Sequence, residues 1–67
     1  MYMEAMVIYE RHGKWVLRIP GDVFPLKQGE PAEVMGFLRN RLGSRATVVK
    51  LEKESGEIQE LMFPESS

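Results

Sequence analysis

The chain has 67 residues, 28% of them charged and 43% hydrophobic, with a formal net charge of −1, one histidine and no cysteine. That length suits one domain over residues 1–67, close to the smallest size at which a single core outweighs chain entropy. Disulfides and thiolate metal sites are excluded, a near-neutral charge gives no general attraction to phosphate backbones, and the longest apolar run, Met6 to Tyr9, is too short to cross a bilayer.

An amino terminus reading MYMEAM, acidic and followed soon by Glu10, speaks against a signal peptide. The expectation is a cytoplasmic protein with no membrane association. The first structured stretch, EAMVIYERHGKWVLRI, places two runs rich in Val, Ile, Tyr and Trp around Glu10-Arg11-His12-Gly13, a β-hairpin pattern. With Gly13 as the last residue of a type I turn plus a positive-φ residue, the loop has three residues. Tyr9 then lies opposite Trp15, Val7 opposite Leu17 and Ala5 opposite Ile19, which makes one face wholly apolar and pairs Glu10 with Lys14 on the other. On this register Trp15 is a core residue, enclosed by the helix that follows.

The connector PGDVFPLKQG carries a Pro20-Gly21-Asp22 turn and then an extended piece, Val23 to Lys27. Pro25 cannot donate to a ladder, so this piece can only be an edge strand or a strand-like loop. A helix follows. Pro31 suits its first turn, Glu30 and Glu33 suit the positive end of its dipole, and Gly43 stops it after Leu42. Val34, Met35, Leu38 and Leu42 form its apolar stripe, and Arg39 and Arg41 complement the dipole's negative end.

A second hairpin, ATVVKLEKESGEIQELMF, turns at Lys53-Glu54-Ser55-Gly56. A three-residue loop sets Lys53 against Glu57 and Lys50 against Glu60, both favourable pairs. The last residues, 64–67, read as a frayed tail. The fold class is therefore α+β: an antiparallel sheet of two hairpins, with a possible short extra edge strand and one helix across one face, in the order β-β-(β)-α-β-β.

Some of these features resemble known families. Gly13 followed two residues on by Trp15, a strand ending in Pro20, and the Gln28-Gly29-Glu30 step that opens the helix resemble the core of the HicB-like antitoxin family over about residues 5 to 40. Phe24 and Pro25 stand where that family has a small Gly-Cys-like pair, and Pro31 where it has Thr. The carboxy-terminal half, VVKLEKESGEIQE, resembles an uncharacterised bacterial domain family of β-β-α-β-β order. The first resemblance implies an antitoxin-like role with a small basic protein as partner; the second implies no activity.

No constellation for catalysis stands out. His12 sits at a hairpin tip, where exposure gives no means of shifting its pKa, Asp22 has the setting of a turn former, and Gly21 and Gly29 lack the pattern of a phosphate loop. No enzyme, cofactor or metal site is expected. What the sequence does leave over is apolar surface. In the three-residue register the sheet's second face carries Met6, Ile8, Val16, Val48, Ile58 and Met62, mixed with Glu4, Arg18, Lys50 and Glu60. One helix covers one face, so these six would form a protein interface, most simply in a homodimer. The alternative is a nucleic-acid contact through Arg39, Arg41, Arg45 and Lys50 near the helix exit.

Overall fold

A computed structural model describes residues 6–64. They form strands β1 (Val7–Arg11), β2 (Lys14–Arg18) and β3 (Lys27–Gly29), helix α1 (Pro31–Leu42), and strands β4 (Thr47–Glu52) and β5 (Ile58–Phe63). The strands make one sheet in the order β3-β2-β1-β4-β5, and α1 lies across one of its faces. The class is α+β as expected, but the sheet is mixed. β1 and β4 run parallel at its centre, Val7 beside Lys50, Ile8 beside Leu51 and Tyr9 beside Glu52. The reason is directional: two antiparallel steps leave β3 running the same way as β1, and one helix then returns the chain to its starting end. β4 must therefore run with β3 and β1, as in any crossover through a single helix.

The first hairpin departs from the expected register. Glu10 faces Trp15 and Arg11 faces Lys14, so the loop is the two residues His12 and Gly13. Their φ values are 53° and 75°. Positive φ at both loop positions is the type I′ requirement, and that turn matches the right-handed twist of its flanking strands. Histidine is among the residues enriched at positive φ.

A one-residue slip exchanges faces along β1. Ile8 is fully buried and Met6 is 5% exposed, both beneath α1, while Val7 and Tyr9 turn to the helix-free face. The expected pairs of Tyr9 with Trp15 and Val7 with Leu17 are thus replaced by Tyr9 with Val16 and Ile8 with Leu17. Ala5 and Glu4, each given a face in the expected register, lie outside the described residues, as do 65–67 of the tail.

The extra edge strand exists, but at Lys27–Gly29 and not at Val23 to Lys27. Pro25 prevents pairing in the first part. The connector turns instead through a bond from the Asp22 N–H to the Ile19 carbonyl (3.0 Å) and rejoins the sheet where the Leu26 N–H meets the Leu17 carbonyl (2.8 Å). The Arg18 guanidinium holds this loop by donating through Nη2 to the carbonyls of Asp22 (3.4 Å) and Val23 (3.2 Å).

The helix forms as its sequence dictates. Pro31 is its first residue, the Glu33 carboxylate accepts from the Glu30 N–H (3.2 Å), and Gly43 donates back to the Arg39 carbonyl (3.0 Å). Its stripe Val34, Leu38 and Leu42 is buried, with Met35 and Phe37 packed at the margin. These side chains meet Met6, Ile8, Leu17, Val49, Leu51 and Phe63 from the sheet. Trp15 is half-buried and packs against this cluster from its edge, so it belongs to the core's rim and not to its centre.

The second hairpin matches expectation. Lys53 donates to the Glu57 carbonyl (2.9 Å), Gly56 donates to the Lys53 carbonyl (2.9 Å), and Gly56 has φ 96°. Lys50 faces Glu60 and Val48 faces Met62.

Candidate interaction surface

Because strand side chains alternate, the registers define which residues share the face that α1 leaves uncovered. β2 supplies Lys14, Val16 and Arg18; β1 supplies Val7, Tyr9 and Arg11; β4 supplies Val48, Lys50 and Glu52; β5 supplies Ile58, Glu60 and Met62. Gln28 of β3 stands beside Val16 at one edge. Across the strands, Val16, Tyr9, Glu52 and Ile58 form one row and Arg18, Val7, Lys50 and Glu60 the next.

Of the six residues expected to form this surface, Val16, Val48, Ile58 and Met62 are on it. Val48 is 46%, Ile58 52% and Met62 71% exposed; Val16 is half-buried among its neighbours. Met6 and Ile8 are not part of it. They are buried under α1, because the two-residue turn sends even-numbered β1 residues to the helix side. Val7 and Tyr9 take their place, both half-buried, and were missed for the same reason. The signal that could have found them is the His12-Gly13 pair, which suits a type I′ loop much as Asn-Gly does.

Electrostatics order the polar part of the face. Arg11 reaches Glu52 at 3.6 Å and stacks its guanidinium 5.8 Å from the centre of the Tyr9 ring, which joins β1 to β4 across the parallel pair. Lys14 forms an ion pair with Glu30 at the mouth of α1, and that hydrogen bond, reinforced by the carboxylate's charge, raises the Lys14 pKa. The two hairpin tips are tied together. Glu54 accepts from the His12 N–H (2.8 Å) and its own N–H donates to Glu10 (3.5 Å).

The proposed basic cluster is divided by the sheet. Arg39 and Arg41 lie in the last turn of α1, and Arg45 follows with Nη2 3.4 Å from the Arg41 carbonyl. Lys50 projects from the opposite face, its β4 neighbours Val49 and Leu51 pointing to the helix. Arg39, Arg41 and Arg45 therefore form a group at the helix exit that Lys50 does not join.

A second apolar feature was not anticipated. Val23 and Phe24, 79% and 80% exposed, stand out from the connector that Arg18 holds. Among the described residues, no group of three or more His, Cys, Asp or Glu side chains could hold a metal ion, and no helix is long and apolar enough to cross a membrane. No protein family, characterised protein or solved structure matches the chain.

Proposed function

We propose that this chain is a small non-enzymatic binding or regulatory module that acts by protein–protein contact through the helix-free face of its sheet. The observation that carries the reading is the run of exposed apolar side chains Val48, Ile58 and Met62 on adjacent strands, continued by Tyr9, Val7 and Val16. A surface of this kind, with apolar residues in rows and charged residues interleaved, is what a contact face requires. Its sharpest form is an antitoxin-like module that engages a small basic nuclease. That form draws on the HicB-like resemblance carried by Gly13, Trp15, Pro20 and the Gln28-Gly29-Glu30 step.

The competing reading is a nucleic-acid contact through the arginines at the helix exit, which is now reduced to Arg39, Arg41 and Arg45. Two measurements separate the readings. Affinity capture from source cells with the unmodified chain and with Met62→Lys should recover a protein partner with the first and lose it with the second. Binding to RNA or DNA that weakens steeply with salt and survives Met62→Lys would instead favour the arginines.

A further inference from the structure

The helix-free face is divided by charge as well as by row. Every charged residue that β1 and β2 place on it is basic: Arg11, Lys14 and Arg18. β4 and β5 place Glu52 and Glu60 on it, with Lys50 between. An isologous contact needs a patch that complements itself after a twofold rotation, and for two stacked sheet faces the axis runs either across the strands or along them.

An axis across the strands lays β2 on β2, and one through the Val16 row sets Lys14 over Arg18 of the second copy, like charge on like charge. An axis along the strands, between β1 and β4, keeps each row and reverses its order. Arg18 then lies over Glu60 of the second copy and Val16 over Ile58. Each pairing occurs twice. Arg18 spends only Nη2 on the connector, which leaves Nε and Nη1 for a carboxylate, and Glu60 makes no ion pair among the described residues.

Edge-to-edge association is less suited to this chain. The β3 edge has three paired residues bracketed by Pro25 and Pro31. On β5 the bond from Lys53 to Glu57 leaves the backbone groups of Ile58, Glu60 and Met62 facing outward, and pairing two such edges about their centre sets Glu60 against Glu60.

We infer that the occupant of the helix-free face is a second copy of the chain, stacked about a twofold axis along the strands that joins Arg18 to Glu60 and Val16 to Ile58. The inference rests on the reading of this face as a contact surface, and on it a second copy takes the place that the antitoxin-like form gives to a nuclease.

Sedimentation equilibrium from micromolar to millimolar concentration tests it. The unmodified chain should reach twice its mass of 7.7 kDa. Glu60→Arg and Arg18→Glu should each raise the dimer dissociation constant by about tenfold or more, since like charges then meet twice, and the double charge reversal should restore most of the loss. Arg18→Glu also removes the connector's hydrogen bonds, so Glu60→Arg, at an exposed position, decides the matter if the other variant fails to fold. A monomer throughout the range would overturn the inference, as would a Glu60→Arg variant that associates unchanged or more tightly. A monomeric chain whose Met62→Lys variant still loses a captured protein partner would remove the second copy and leave the contact surface standing.

Discussion

The hairpin β1–β2 turns through His12 and Gly13, both at positive φ, whereas β4–β5 turns through Glu54, Ser55 and Gly56, of which only Gly56 has positive φ. The strands that these turns join also differ. In β4, Lys50 and Glu52 alternate with Val49 and Leu51, so charge marks which side chains face water. In and before β1 the run Met6-Val7-Ile8-Tyr9 is apolar at every position, so both faces look suited to a core. Where alternation carries no polarity, the residue count of the turn decides the face, and the decision reaches every residue of the strand.

The largest expected effect that would break this comparison is at Ile8. Ile8→Ala should lower stability by about 3 kcal/mol, because it empties a fully buried site. Tyr9→Ala, on the half-buried face beside Arg11, should cost about 1 kcal/mol. Urea unfolding of the two variants checks the order, and a larger loss at Tyr9 would reverse the faces of β1.

The turns themselves come next. An added Cβ meets no atom within 4 Å at either Gly13 or Gly56, so the cost of Ala there is conformational alone. Both Gly13→Ala and Gly56→Ala should destabilise by about 1–2 kcal/mol. Equal folding midpoints for Gly13→Ala and the unmodified chain would mean that Gly13 is not at positive φ. Glu54→Ala, which removes the carboxylate that accepts from the His12 N–H and leaves the backbone bond to Glu10, should cost about 0.5–1 kcal/mol by thermal melting, against no measurable change for Glu57→Ala as a control. The smallest effect sharpens the comparison by raising stability: His12→Asn should gain a few tenths of a kcal/mol, roughly, because Asn takes positive φ more readily as the first residue of a type I′ loop.

Much of the architecture was legible in the residues. Pro31, Glu33, the Val34-Leu38-Leu42 stripe and Gly43 bound the helix, and Lys50 with Glu60 set the second hairpin. The mixed sheet follows from strand direction once β3 is granted, but the extended pattern of Val23 to Lys27, interrupted by Pro25, masks the three-residue strand Lys27–Gly29 in the sequence. The helix-free face was legible on β4 and β5, where Val48 and Met62 alternate with less exposed neighbours, and illegible on β1. Met6 and Ile8 could not be told from Val7 and Tyr9 without the turn. Arg39 and Lys50 looked clustered in the sequence because the chain runs directly from α1 into β4, yet the two elements present opposite sides of the sheet.

The register of β1 against β2 determines which residues the helix-free face contains, and NMR can read it directly. The Leu17 carbonyl accepts from the Leu26 N–H just ahead of β3, on the side away from β1, so Leu17 and its partner form a non-hydrogen-bonded pair between β1 and β2, with their Cα atoms about 4.5 Å apart and their Hα protons in close contact. Strong Hα–Hα cross-peaks between Ile8 and Leu17 and between Glu10 and Trp15 are the predicted result. Cross-peaks between Val7 and Leu17 and between Tyr9 and Trp15 would contradict it, returning Ile8 to the helix-free face and removing Tyr9 from it.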